Sequence, residues 1–205
     1  MSLPVQLAEG WAALGLDLNG DQQQKLLEYL DLLARWNKTY NLTAVRDPAQ
    51  MVTKHLLDSL AIAPFLKGER FIDVGTGGGL PGVPLAVLFP EREFHLLDGN
   101  GKKARFLFQV KTSLGLANMT VHHARAETFT APPFDAVLTR AFASLAEMVE
   151  HCRHLLKGDG RFLAMKGMYP EEELAAVAGI CTVSAVHKLD VPGLGDARHL
   201  VELAL

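Results

Sequence analysis

The sequence predicts an α/β fold in which a mostly parallel sheet has helices on both faces. After Gly68, short β-rich runs alternate with stretches of helical pattern, as is typical of strand–helix–strand units. A glycine-rich segment, FIDVGTGGGLPG at 71–82, joins the first of these runs to an apolar stretch. The first 66 residues contain helical patterns only. We therefore predict a helical extension, residues 1–66, packed as one unit with an α/β domain, residues 67–205.

The spacing of apolar residues and the capping residues predict the helices of the extension. Within residues 21–36, four leucines at helical spacing form an apolar stripe, Leu26, Leu27, Leu30 and Leu33. Asn19 or Asp21 could cap this helix. A second helix is expected to begin at Asp47 and Pro48, because proline is favoured at the first helical position.

The α/β domain contains five runs that we interpret as parallel strands, at 71–74, 93–98, 118–124, 134–140 and 160–167. The intervening helices are expected near 82–89, 102–115, 144–157 and 170–178. The last 25 residues, 181–205, contain two further strand-like runs joined by a Gly/Pro loop. They predict an antiparallel hairpin added to the sheet, which gives seven strands in all.

Composition excludes several classes of protein. With 205 residues, 49% of them hydrophobic and 21% charged, the chain has enough material for a buried core and is not disordered. Its first 20 residues lack Lys and Arg, and no apolar run approaches the roughly 18 residues of a spanning helix. Two cysteines without metal-ligand spacing favour a reducing, cytoplasmic location and no metal. The net charge of −3 means that nucleic-acid binding would depend on a local patch.

The glycine-rich segment allows two registers. Gly77-x-Gly79-x-x-Gly82 has the spacing of a dinucleotide-binding loop, but it starts two residues beyond the turn and includes a proline. Gly75-x-Gly77-x-Gly79 follows the strand directly, is preceded by Asp73, and fits the pattern of S-adenosylmethionine (SAM) binders. In open α/β sheets ligands bind at the carboxyl ends of strands. We therefore expect Gly75 and Gly77 to contact a cofactor.

Three later strand ends supply further candidate residues. Asp98, 23 residues after Gly75, can accept both ribose hydroxyls of an adenosine-type cofactor, although NAD would use the same contact and an aspartate could also cap the next helix. Ala126 and Glu127 lie just beyond the end of the third strand, where they could face an adenine edge. Arg140 ends the fourth strand, at the mouth where a substrate would enter, or pairs there with a carboxylate within the fold.

Longer segments make the sequence resemble a known family. They are RWNKTYNLTAVRD (35–47), HLLDSL (55–60), RFIDVGTGGGLPG (70–82), LLD with GKKARFL (96–107), SLAEMVEHC after TRAFA (139–152), LAMKG (163–167) and RHLV (198–201). Together they resemble the small-subunit ribosomal RNA methyltransferase G family, also called glucose-inhibited division protein B, over nearly the whole chain.

The resemblance implies a class I SAM-dependent methyltransferase with a helical extension. Such an enzyme transfers the methyl group of SAM to N7 of one guanine in the decoding-region loop of 16S rRNA, releasing S-adenosylhomocysteine. By matching motifs, the cofactor residues would be Gly75 and Leu80 along methionine and ribose, Ala126 and Glu127 at the adenine, and Arg140. Two positions depart from the family pattern: Gly78, often Pro or Ala, and Gly99-Asn100, commonly Ser-Leu.

N7 of guanine carries no proton, so this reaction needs no general base and no catalytic residue is predicted. Phosphate contacts with RNA are expected from five cations: Lys102, Lys103, Arg140, Lys166 and Arg198. The partner would be 16S rRNA, the small ribosomal subunit or an assembly intermediate, without a membrane or an obligate protein partner. The residues by themselves are also consistent with two other classes of protein, an NAD-dependent oxidoreductase and a non-catalytic RNA-binding module.

Overall fold

A seven-stranded sheet forms the centre of the computed structural model, which describes residues 1–140, 142 and 144–205. Its strands are β1 (Arg70–Val74), β2 (Glu93–Asp98), β3 (Met119–His123), β4 (Phe134–Thr139), β5 (Leu156–Lys166), β6 (Thr182–Lys188) and β7 (His199–Ala204). They lie in the order β3-β2-β1-β4-β5-β7-β6. The first five are parallel, and β7 is antiparallel to both β5 and β6. The predicted sheet with its C-terminal antiparallel hairpin is confirmed.

Helices precede the sheet in the chain and cover it on both faces. The first residues form α1 (Leu3–Ala13), α2 (Gly20–Tyr40) and a continuous helical segment made of α3 (Pro48–Met51), a π-helical stretch (Val52–Leu57) and α4 (Asp58–Leu60). The strands alternate with α5 (Gly82–Leu88), α6 (Gly101–Leu114), α7 (Leu145–Cys152) and α8 (Glu171–Val177). Asn19, not Asp21, caps α2, where its side chain and that of Gln22 each accept the other's backbone N–H. No helix among the described residues is long and apolar enough to cross a membrane.

The two faces of the sheet bury two apolar layers. Successive residues of β1 show the division, because Phe71 packs with the layer that contains α1, α2, α5 and α6, whereas Ile72 packs with the layer under α7. The helices of the first 66 residues thus share an apolar core with one face of the sheet. The boundary between extension and domain at residue 67 stays a prediction.

One predicted element is wrong in its extent. The helix expected at 144–157 ends at Cys152, and a short 3-10 turn leads into β5, which begins at Leu156. Leu156 pairs with Phe134 of β4, before a register shift that ends at Ala136. The apolar pattern of this segment suits a helix or a strand equally, and pairing with β4 decides between them.

A substitution of Gly82 would test how tightly the sheet packs against α5. A Cβ at this position would lie 2.9 Å from Asp73 Oδ2 and 2.9 Å from Leu96 Cγ, while the backbone N–H of Gly82 already donates to the same aspartate oxygen. We expect Gly82→Ala to lower the free energy of unfolding by about 1–3 kcal/mol, since neither neighbour is free to move. Urea denaturation measures the change.

Gly20→Ala is the matched control. Gly20 begins α2, and a Cβ there meets nothing within 4 Å. This variant should be as stable as the wild type or slightly more so. Equal effects of the two substitutions would contradict the packing of α5 described above.

Candidate active site

The glycine loop, residues 75–81, leaves the carboxyl end of β1 and leads into α5. Gly75, Gly77 and Gly79 have φ angles of 67°, 61° and 95°, the left-handed region that favours glycine, whereas Gly82 does not. Gly82 instead lacks a side chain because of close packing. The backbone conformation therefore follows the register that begins at Gly75.

Asp98, at the end of β2, is hydrogen-bonded to this loop. Its Oδ2 accepts the backbone N–H of Gly77 at 2.9 Å, and its Oδ1 accepts that of Asn100 at 2.8 Å. Lys103 Nζ lies 3.7 Å from Oδ2. The cap of α6 is Asn100, whose side chain accepts the N–H of Lys102. Asp98 is therefore not the cap of α6, the alternative role that the sequence allowed. Asn100 is that cap, which gives a structural reason for asparagine at position 100.

A cavity of about 260 Å³ opens beside the loop and is called here the glycine-loop cavity. Its walls include Gly75, Asp98, Ala126, Glu127, Phe142 and His151. A Cβ on Gly75 would meet no atom of the described part of the chain within 4 Å. The structure thus brings together four of the residues predicted to bind a cofactor.

Asp73 lies beneath the loop and is almost completely buried. Its Oδ2 accepts both the Thr76 hydroxyl at 2.7 Å and the Gly82 N–H at 2.8 Å, while its Oδ1 has no hydrogen-bond partner among the described residues. Burial raises the pKa of this carboxyl to about 7, against the opposing effect of the two donors. The two donors from opposite ends of the loop make Asp73 an internal support for it.

A second cavity of about 370 Å³ lies across the neighbouring strand ends and is called here the basic cavity. Its lining includes Lys54, Asp58, Arg140, Lys166 and Arg198. Asp58, buried in α4, accepts hydrogen bonds from Arg198 Nε at 2.9 Å and from Arg140 Nη1 at 3.4 Å. Arg140 Nη1 also donates to the carbonyl of Lys54 at 3.1 Å. Arg140 therefore pairs with a carboxylate within the fold and still faces the cavity.

The two cavities lie at adjacent strand ends. In the pairing of β1 with β4, Asp73 is opposite Leu138, so Gly75 and Arg140 each stand two residues beyond paired positions. Neighbouring strands are about 4.8 Å apart. A ligand in the glycine-loop cavity and a ligand in the basic cavity could therefore approach one another over the ends of these strands.

The remaining predicted site residues are distributed as follows. Arg140 lines the basic cavity, apart from the four cofactor candidates of the glycine-loop cavity, and Lys166 and Arg198 lie there with it. Leu80 is buried in the loop with the apolar layer that contains α2. Lys102 and Lys103 begin α6, away from the basic cavity, and Lys102 Nζ lies 5.9 Å from the ring centre of Tyr40. The five RNA candidates thus form two groups.

Comparisons with known proteins agree with this geometry. The sequence model of the family described as rRNA small subunit methyltransferase G matches residues 22–201. The chain belongs to the rRNA small subunit methyltransferase G family. A curated relative of that name from Saccharophagus degradans is 56% identical over 201 residues, which are 98% of this chain and 90% of the relative. One from Pseudomonas aeruginosa is 54% identical over 200 residues, 97% of this chain and 94% of the relative.

A solved structure has the same fold. A SAM-dependent methyltransferase from Aquifex aeolicus superposes with a TM-score of 0.61 at 15% identity, covering 77% of this chain and 93% of that one. The class I methyltransferase fold and the resemblance stated from the sequence are confirmed.

In this member of the methyltransferase G family, α2 contacts the glycine loop directly. Tyr29 is fully buried, and its hydroxyl donates to the carbonyl of Gly78 at 2.7 Å. A Cβ on Gly78 would lie 3.2 Å from Cδ1 of Leu33, on the same helix. The close approach of α2 therefore disfavours a side chain at position 78.

Sequence reasoning missed Tyr29, Lys54 and Asp58 as residues of the site. Asp58 lies in the HLLDSL segment that supported the resemblance, which is a signal that it matters but not of its partners. Tyr29 falls on the apolar stripe of α2, between Leu26 and Leu33. That position predicts burial, but no local pattern predicts that its hydroxyl reaches the loop.

We expect Tyr29→Phe to lower the free energy of unfolding by about 1–3 kcal/mol, because it leaves the buried carbonyl of Gly78 without its donor while keeping the ring. Urea denaturation of the two proteins measures this. Tyr40→Phe is the control, since the Tyr40 side chain is 40% exposed, and it should change stability little. A Tyr29→Phe protein as stable as the wild type would show that the hydrogen bond contributes nothing.

Asp73→Asn should alter how stability depends on pH. The pKa of Asp73 is about 7 in the folded protein against about 3.9 in an unfolded chain. The folded state therefore binds this proton more tightly, and the contribution of Asp73 to stability is lost as the pH rises from about 4 to about 7. The near-isosteric amide does not titrate.

The measurement is the free energy of unfolding of both proteins across this pH range. The stability of the Asp73→Asn variant relative to the wild type should increase with pH over the window. Parallel curves for the two proteins would show that Asp73 does not titrate there.

Proposed function

We propose that this protein transfers the methyl group of SAM to N7 of a guanine in 16S rRNA and releases S-adenosylhomocysteine. Membership of the methyltransferase G family supports the reaction class and the substrate class. The observation that carries the proposal is the pair of adjacent cavities, one beside a SAM-type glycine loop and one lined by four cationic side chains. Such a pair suits a small cofactor and an anionic polymer that meet at one place.

The residues of the glycine-loop cavity fit SAM. The bare Gly75 leaves room for a ligand, and each oxygen of Asp98 accepts one N–H and retains a lone pair for a ribose hydroxyl. We assign the adenine end to Ala126 and Glu127, and the methionine and ribose path to Gly77 and Leu80 of the loop. SAM, when bound, supplies a methyl group on a sulfonium that any good nucleophile can attack.

Guanine N7 is such a nucleophile without help from the protein, because its lone pair is already free. The chain's task is therefore to position the base and exclude water. Asp58 and the Lys54 carbonyl hold the Arg140 guanidinium in one place. We assign this guanidinium to the cofactor carboxylate or an RNA phosphate, since a hydrogen bond from it to N7 would occupy the attacking lone pair.

The major groove of duplex RNA, which contains N7, is deep and narrow, so the target guanine should be unpaired or splayed out. Lys54, Lys166 and Arg198 are then our candidates for phosphates around the basic cavity, with Lys102 and Lys103 for a more distant part of the RNA. Affinity should weaken with added salt. The substrate would be 16S rRNA, free or within a small subunit or its assembly intermediate, in the cytoplasm.

The deciding experiment incubates the pure protein with methyl-labelled SAM and small ribosomal subunits or 16S rRNA that lack the modification. We expect label in 7-methylguanosine after digestion to nucleosides, at a single site. Titration with NAD should show no comparable binding. Label in another nucleoside, or SAM and RNA binding without transfer in any of these substrates, would contradict the proposal and favour another base or a non-catalytic binding module.

Asp98→Asn tests the cofactor site within the same assay. Loss of the charged acceptor should raise the KM for SAM roughly 10- to 150-fold, with a smaller effect on the KM for RNA. Asp159→Asn is the control, because Asp159 is an exposed carboxylate near the opposite end of β5. An unchanged KM for SAM in Asp98→Asn would remove Asp98 from the cofactor site.

A further inference from the structure

Met168 and Tyr169, which are among the most exposed apolar residues, are consecutive in the turn between β5 and α8. Met168 is 82% exposed and Tyr169 is 57% exposed. Isolated exposed apolar residues are common, but a phenol ring and a thioether side by side at the edge of a charged cavity are not explained by packing. These two residues follow directly after Lys166 and Gly167, which line the basic cavity.

The ring of Tyr169 is held in place. It meets the ring of His199 edge-on, with centroids 5.8 Å apart and planes at 86°. His199 Nδ1 is in turn 2.9 Å from the carbonyl of Gly167, and the backbone of His199 pairs with Lys166 at the end of the sheet. Tyr169 thus presents an exposed aromatic surface fixed by the same strand ends that build the basic cavity.

The lining of the basic cavity next to this surface has an excess of positive charge, although the whole chain has a net charge of −3. On its other side, Tyr169 is followed by two exposed carboxylates at the start of α8, Glu171 and Glu172. Four cations line the basic cavity, Lys54, Arg140, Lys166 and Arg198. Two carboxylates pair with three of them: Asp58 with the two arginines and Glu173 with Lys166. Lys54 makes no ion pair with any described residue. A fixed aromatic ring beside an excess of positive charge is the combination that binds single-stranded nucleic acid.

We propose that Tyr169 stacks on an unpaired RNA base next to the target guanine, with Met168 covering the edge of that base. This inference rests on the proposed function and adds a residue that binds the substrate. The base on Tyr169 is not the target itself. His199 lies on β7, three strands from β1 in the sheet order, or roughly 14 Å at the usual strand spacing. The target must lie near β1 and β4 to meet the cofactor, so a neighbouring nucleotide reaches Tyr169.

The test compares the steady-state methylation of small ribosomal subunits by the wild type and by variants at position 169. Tyr169→Ala should raise the KM for subunits roughly 5- to 150-fold, the range for loss of one stacked base. The KM for SAM should change less than about twofold, because the cofactor site is elsewhere. Tyr169→Phe should match the wild type, and Tyr169→Leu, which keeps apolar bulk without an aromatic face, should resemble Tyr169→Ala.

Ile180→Ala is the matched control. Ile180 is 49% exposed and lies just before β6, at the opposite end of the sheet from Tyr169. Its loss should leave both KM values unchanged. An equal effect of Ile180→Ala and Tyr169→Ala on the KM for subunits would overturn the proposal, as would a Tyr169→Ala enzyme with wild-type kinetics.

A second readout does not depend on methyl transfer. Ultraviolet cross-linking of the wild-type protein to small subunits, followed by mass spectrometry of the protein–RNA adducts, should join the peptide containing Tyr169 to 16S rRNA. A cross-link of that peptide to a ribosomal protein instead would overturn the assignment to RNA. Cross-linking at Tyr169 without any 7-methylguanosine would reject the proposed reaction alone, whereas methyl transfer unaffected by Tyr169→Ala would reject the stacking alone.

Discussion

Two buried carboxylates hold the glycine loop in one conformation, and the candidate site depends on that constraint. Asp98 accepts the N–H of Gly77, and Asp73 accepts the Thr76 hydroxyl and the Gly82 N–H. Glycine loses more conformational freedom on folding than other residues, so a loop this rich in glycine needs fixed acceptors to stay ordered. Because the acceptors belong to β1 and β2, the loop takes its shape from the sheet, whose strand ends also line the cavity beside it.

The N-terminal helices are part of the site as well as part of the core. From α2, the hydroxyl of Tyr29 reaches the carbonyl of Gly78 in the glycine loop. From α4, Asp58 holds Arg140 and Arg198, which belong to distant segments of the α/β domain. A shift of these helices would therefore move both the loop and the arginines. This coupling gives the N-terminal helices a role in positioning the glycine loop and the basic cavity.

The same contacts show how a chain with net negative charge can contain a locally basic cavity. Four cations line the basic cavity, and two acids, Asp58 and Glu173, pair with three of them and orient them. Cations that are held in place lose little conformational entropy when they meet phosphates. The proposed methylation at N7 requires positioning without proton transfer, and a basic cavity next to the glycine-loop cavity is suited to that task.

Local patterns in the sequence were enough for the sheet, for the alternating helices apart from the end of α7, and for the Gly75 register, because strand and helix periodicity and glycine spacing act over a few residues. The family was predicted from longer segments spread over nearly the whole chain. Local patterns also predicted that Gly75, Asp98, Ala126 and Glu127 gather at strand ends. Only the tertiary structure decided that β5 begins at Leu156, that Tyr29 bonds a residue 49 positions away, and that Asp58 bonds one 140 positions away. Such contacts depend on which elements pack together in space, and no short stretch of sequence contains both partners.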